Sequence, residues 1–149
     1  INELLITLLE TLRTHDVTYE ASLTTAERTT EMFLRELESS VFEPWTLDTM
    51  AESTGLKRTR FAHYCKKLKN MTPNRYLTHL RVEKAKELMC AEPELSLTEV
   101  GLRCGFCSAQ YFATVFRGQA GVAPARYRRD QLGKAGAEET ASKTIKRVL

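Results

Sequence analysis

The chain of 149 residues has no apolar run near the roughly 20 residues that span a bilayer. Its leucine-rich start, INELLITLLETL, includes Glu3 and Glu10 and lacks a basic n-region, so neither a membrane segment nor a signal peptide is expected. Cysteine is limited to four residues, below the density of a disulfide scaffold. Without an export signal, reduced thiols and a cytoplasmic location are expected. The three histidines, His15, His63 and His79, stand at no metal-ligand spacing from the cysteines. With 42% hydrophobic and 28% charged residues, the bulk of the chain is neither disordered nor fibrous. The length allows one compact domain or two small lobes. The chain starts at Ile1 rather than Met, which leaves room for a segment upstream.

The charge that is present lies unevenly. Up to residue 43, three arginines face nine acidic residues; beyond it, nineteen basic residues face ten acidic ones. A basic segment suits a polyanionic partner, because cationic side chains displace counterions condensed on phosphates, although a merely solvated surface has the same composition.

The chain also repeats itself. TLDTMAESTGLKRTRFAHYCKKLKNMTPNRYL, Thr46 to Leu77, is echoed by SLTEVGLRCGFCSAQYFATVFRGQAGVAPARYR, Ser96 to Arg128. Leu47 matches Leu97, Met50 matches Val100 and Gly55 matches Gly105; after the glycine the second copy gains one residue, so Phe61 matches Phe112, Cys65 matches Phe116 and Tyr76 matches Tyr127. Two copies are too few for a solenoid and predict one supersecondary unit used twice. Each reads as helix, tight turn, helix. Ser96-Leu97-Thr98-Glu99 is a capping box, in which Ser96 is expected to satisfy the Glu99 amide and Glu99 the Ser96 amide. Gly105 ends that helix where a left-handed residue is needed, and Ser108 is an N-cap for the next. Phe112, Val115 and Phe116 then share one face, opposite Ala109, Gln110, Ala113 and Thr114; in the first copy Phe61, Cys65 and Leu68 turn inward and Arg58, Thr59, Ala62 and His63 outward.

This reading bears on Cys104 and Cys107, whose spacing is that of a thiol redox site or half a zinc site. They flank the turn residues Gly105 and Phe106, no strand precedes them, and two further zinc ligands are missing. A pair of short helices around a glycine turn, the second with a polar outer face, is the helix-turn-helix unit that lays its second helix in a DNA major groove.

The second copy carries G-F-x-S-x-x-Y-F-x-x-x-F as Gly105, Phe106, Ser108, Tyr111, Phe112 and Phe116, then G-x-x-P-x-x-Y-R as Gly121, Pro124, Tyr127 and Arg128. In these residues the chain resembles the AraC/XylS family of bacterial transcription regulators. The likeness covers Thr24 to Leu132 and includes Pro73, Tyr76, Leu77, Arg81, Ala85 and Leu88. It implies an all-α fold of two helix-turn-helix subdomains joined by a long connecting helix. The expected layout is a leading helix and linker at 1–23 and a DNA-binding domain at 24–132. Within that domain the first unit spans about 46–69, the connecting helix about 73–90 and the second unit about 96–118; a flexible tail follows at 133–149. The connecting helix is supported by the residues themselves: Thr72 can cap it and Pro73 suits its first turn. Tyr76, Leu77, Leu80 and Leu88 form one apolar stripe, and Val82, Ala85 and Met89 add a second patch.

The resemblance further implies that the later helix of each unit reads bases, through Arg58, Thr59, Ala62 and His63 in the first and Ala109, Gln110, Ala113 and Thr114 in the second. Arg58 has the chemistry for a bidentate guanine contact and Gln110 for adenine; Thr59 and Thr114 can offer a hydroxyl or a methyl, and the alanines only apolar contact. His63 can donate to a guanine acceptor or stand without a contact. Phosphate contacts are expected from Lys57, Arg60, Lys66, Lys67, Arg75, Arg117, Arg126 and Arg129, with Arg128 as a structural ion-pair partner instead. Three departures fall in the first unit: Lys57 where a small cap is usual, Cys65 for an aromatic core residue, and Asn70 for glycine.

Double-stranded DNA is thus the expected partner, with RNA polymerase a further one; no cofactor, metal or catalytic group is expected. Ile1, Leu5, Leu8 and Leu12 form a short stripe suited to homodimer pairing, to an upstream sensor domain or to the first lobe. Two other readings stay open: an enzyme using Cys104 and Cys107 as thiol oxidoreductase or alkyl acceptor, and a helical protein-interaction module.

Overall fold

The computed structural model describes residues 25–134; the expected leading segment at 1–23 and nearly all of the expected tail lie outside them. The described chain is all-helical: α1 (25–37), α2 (Leu47–Ser53), α3 (Arg58–Lys69), α4 (Pro73–Ala91), α5 (Leu97–Arg103), α6 (Ala109–Ala120) and α7 (124–134). Two helix-turn-helix units, α2 with α3 and α5 with α6, are joined by the long α4. No helix among the described residues is long and apolar enough to cross a membrane. The chain divides into two compact units. Among the described residues, 25–39 fold with Trp45–Asn74, and Ser40–Pro44 with 75–134.

In the first unit, α1 buries Ala26, Thr30, Phe33, Leu34 and Leu37, the three-and-four spacing of one helix face. Thr30 is polar, but its hydroxyl donates to the Ala26 carbonyl at 2.8 Å, so its burial leaves no donor unpaired. Also buried in this unit are Met50 and Ala51 of α2 and Phe61, Tyr64 and Cys65 of α3. Phe33 meets Trp45 and Phe61 edge-on, with centroids 5.4 and 5.7 Å apart.

The second unit centres on the α4 residues Val82, Ala85 and Met89 with Val100, Cys104, Phe106, Phe112 and Phe116. Phe106, Phe112, Phe116 and Tyr127 form a continuous run of ring contacts at 5.1, 5.6 and 5.4 Å. Of the two apolar sets expected on α4, Val82, Ala85 and Met89 are the fully buried one; Leu80 and Leu88 of the first stripe are half-buried.

Both units turn by the same hydrogen bonds. After α2 the Leu56 amide donates to the Ala51 carbonyl at 3.1 Å and the Gly55 amide to Glu52 at 2.9 Å; after α5 Phe106 donates to Gly101 and Gly105 to Leu102, each at 3.0 Å. This paired six-to-one and five-to-two closure needs a left-handed residue, which Gly55 (φ 66°) and Gly105 (φ 83°) supply. The expected Asn70 is left-handed too, at φ 55°, and ends α3 with its amide on the Lys66 carbonyl. Space differs at the two glycines: a Cβ on Gly55 would meet nothing, whereas one on Gly105 would lie 3.0 Å from the Arg81 guanidinium and the Val41 carbonyl. Gly101 is also tight, a Cβ there falling 3.0 Å from the Phe112 ring, at the site matching Ala51.

Two expectations are corrected. Ser96 Oγ accepts the Glu99 amide at 3.1 Å, but the Glu99 carboxylate turns to Arg103 at 3.3 Å instead of closing the box. Arg103 is also bound by Glu92, and two charges outcompete one amide. The complete box is in the first unit, where the Thr49 amide donates to Thr46 Oγ1 at 3.2 Å and the Thr46 amide to Thr49 Oγ1 at 2.9 Å. Arg128, expected in an ion pair, instead donates through Nη1 to the Leu95 and Pro93 carbonyls at 2.7 and 3.2 Å. The loop after α4 presents carbonyls there rather than a carboxylate. Arg81 acts alike, its Nε donating to Val41 at 2.8 Å and its Nη2 to Glu43 at 2.7 Å, which holds the 40–44 segment on the second unit. The residues expected to begin the tail, 133 and 134, continue α7.

All four cysteines are free. Cys65 and Cys104 are buried, and burial pushes both thiols up to about 11. They are therefore protonated fillers rather than nucleophiles. At pH 8 an alkylating reagent is expected to modify Cys90 and Cys107, which are exposed, while Cys65 and Cys104 react only after denaturation; rapid labelling of Cys104, read by peptide mass spectrometry, would contradict this. In urea unfolding, Gly55→Ala is expected to cost about 1–2 kcal/mol for the left-handed backbone alone. Gly105→Ala is expected to cost roughly 1–3 kcal/mol more, because the new methyl also displaces Arg81.

Candidate nucleic-acid interface

α3 and α6 are each twelve residues long, amphipathic, and bare of acidic residues in the first turn. An uncompensated helix N-terminus carries partial positive charge and unpaired amides, which favours phosphate there. Ser108 caps α6 by accepting the Tyr111 amide at 3.1 Å. Lys57 occupies the same position on α3 and makes no side-chain cap.

The outward residues expected to read bases stand as follows. On α3, Arg58, Thr59 and His63 are exposed and Ala62 half-buried; on α6, Gln110, Ala113 and Thr114 are exposed and Ala109 half-buried. His63 rests edge-on against the buried Tyr64 at 5.3 Å. Together with Lys57, Thr59 and Arg60 it lines a shallow concavity beside the start of α3. Thr114 already spends its hydroxyl proton on the Gln110 carbonyl at 3.0 Å, so it turns outward a methyl and an acceptor, not a donor.

Each of the cations expected on phosphates, Lys57, Arg60, Lys66, Lys67, Arg75, Arg117, Arg126 and Arg129, is exposed. Among them, Lys67 pairs with Glu27 at 2.8 Å and Arg126 with Asp130 at 3.7 Å. Arg58 likewise pairs with Asp48. Exposed pairs of this kind are worth roughly 0–1 kcal/mol, so a phosphate can exchange for either carboxylate. Arg126 and Asp130 stand at the i,i+4 spacing of one helix face; the other two pairs were not visible from spacing, because Glu27 and Lys67 lie on different helices and Asp48 reaches Arg58 only through the crossing of α2 and α3. Among the described residues no three His, Cys, Asp or Glu side chains converge as a metal site.

Residues 50–130 match the model of a helix-turn-helix domain family. The chain is 31% identical over 102 residues to the HTH-type transcriptional activator RhaS of Escherichia coli, covering 68% of this chain and 36% of that protein. It spans about a third of the length of such curated regulators. Its fold is similar to the DNA-binding domain of AdpA, a global transcriptional factor solved in complex with a target DNA (27% identity, TM-score 0.68, covering 70% of this chain and 94% of that one). A transcriptional regulator with an AraC-type DNA-binding domain from Chromobacterium violaceum gives 25% identity and a TM-score of 0.60, over 76% of this chain and 94% of that one. With its duplicated glycine-turned hairpins and this set of relatives, the chain belongs to the AraC family of helix-turn-helix transcription regulators, which are not enzymes.

Proposed function

We propose that this chain recognises a specific DNA sequence by inserting α3 and α6 into successive major grooves of a duplex. The observation that carries the reading is the repetition of one turn, closed by the same pair of hydrogen bonds, in front of two helices whose outward residues differ. A shared scaffold with divergent reading faces suits two unlike half-sites. Arg58 offers a guanidinium to guanine O6 and N7, and Gln110 an amide to adenine N6 and N7. Thr59, His63 and Thr114 adjust neighbouring positions, and Ala62, Ala109 and Ala113 make close apolar contact. Lys57, Arg60, Lys66, Arg75, Arg117 and Arg129 neutralise phosphates, joined by Lys67 and Arg126 once their carboxylates are exchanged. The similarity to RhaS, an activator, supports activation as the outcome, with RNA polymerase as partner. An upstream sensor or a homodimer is the arrangement in which the full-length regulator is expected to work.

Binding to duplex DNA is expected to weaken steeply with salt, log affinity falling against log salt with a slope of about −0.9 per phosphate contacted. A flat response, or equal affinity for random sequence, would refute the proposal. Arg58→Ala and Gln110→Ala should each relax preference at a single base position at a cost of about 1–3 kcal/mol, measured by competition between single-base variants of one site. Lys66→Ala should weaken all sequences alike and reduce the salt slope by about one phosphate.

A further inference from the structure

Arg58 is the first residue of α3, beyond an N-cap that gives the helix no side-chain hydrogen bond. Its guanidinium is nevertheless biased in direction: Nε is engaged by Oδ1 of Asp48, in the first turn of α2, an exposed pair whose modest strength shifts the arginine's rotamers without locking them. Asp48 is itself anchored. It sits between Thr46 and Thr49, whose reciprocal capping hydrogen bonds fix the backbone on both sides of it. An arginine engaged through Nε can still donate from the far end of its fork, through one N–H of each Nη, and the Arg58 side chain remains two-thirds exposed.

The second unit shows that the turn does not need this pair. By the offsets of the repeat, Asp48 corresponds to Thr98 and Arg58 to Ala109, so both partners are missing together. Yet α5 and α6 close by the same two turn hydrogen bonds as α2 and α3. The pair is an addition to the scaffold, confined to the helix start that has an arginine to aim.

We propose that Asp48 is a positioning residue: it presets the orientation in which Arg58 meets the edge of a guanine, and so sharpens specificity at that base without touching DNA. This rests on the base-reading role of Arg58 proposed above. A preset guanidinium loses less side-chain freedom on docking, and its end-on approach through the two Nη groups matches O6 and N7 of one guanine.

The test selects a duplex library, randomised over about two helical turns, on the full chain and on Asp48→Ala, Asp48→Asn, Asp48→Glu, Arg58→Ala and Asp48→Ala/Arg58→Ala. Arg58→Ala is expected to reduce preference for guanine at one position by about 5- to 150-fold. Asp48→Ala should reduce it at that same position by about two- to tenfold, leave the position read by Gln110 unchanged, and add nothing to Arg58→Ala. Asp48→Glu should restore much of the preference. Asp48→Asn, which keeps the size and polarity of the helix start, should fall between, and far-UV circular dichroism of each variant separates loss of helix from loss of aim. If Arg58→Ala erases the guanine preference while Asp48→Ala and Asp48→Asn leave it intact, the positioning role is wrong and the DNA reading stands. Uniformly tighter binding by Asp48→Ala with unchanged preference overturns it equally, since Asp48 would then only repel phosphate. If Arg58→Ala alters no base preference, both readings fail.

Discussion

The left-handed glycine between the two helices of each unit is the constraint from which the rest follows. Gly55 and Gly105 let the chain reverse within three residues while their own amides, and those of Leu56 and Phe106, return to carbonyls at the end of the preceding helix. The Ala51, Glu52, Gly101 and Leu102 carbonyls are thereby paired within the turn, so the angle between the helices is constrained by backbone chemistry before side chains pack. Leu56 and Phe106 are then delivered beside the start of the next helix, and Phe106 enters the core at once.

Around that shared turn the two units are built from different materials. The second closes on four aromatic rings in succession, with Gly101 letting the Phe112 ring approach the α5 backbone. The first puts Cys65 where the second puts Phe116, and draws its aromatic contacts from outside the repeat, through Phe33 and Trp45. Burial makes Cys65 and Cys104 poor thiolates, so the cysteine spacing that suggests chemistry belongs to packing on one side of the turn and to solvent on the other.

Features governed by neighbours in sequence were legible. The turn glycines, the Ser108 cap and the aromatic residues of the inward faces, Phe61, Phe112 and Phe116, follow from spacing and from the limits on backbone angles, and the structure contains them. Features decided by residues far apart were not. Glu99 reads as half of a capping box until Glu92 and Arg103 are brought to it. Arg128 reads as an ion-pair partner, yet what faces it is a row of carbonyls more than thirty residues back. Arg81 is recognisable as a family position but not as the clamp on the 40–44 segment. Which outward residues carry weight is similarly hidden: Thr114 loses its donor to the helix itself, and Arg58 gains a holder from the helix before it.

None of the exposed residues Arg58, Thr59, His63, Gln110, Ala113 and Thr114 contributes a side chain to either core. The architecture therefore separates the residues that keep the molecule folded from those proposed to read DNA. On the proposed reading, a lineage carrying this protein can rewrite its target vocabulary one letter at a time by drift at these sites, each intermediate remaining a sound molecule. Duplication doubles that freedom, since one hairpin can hold an old address while the other explores a new one.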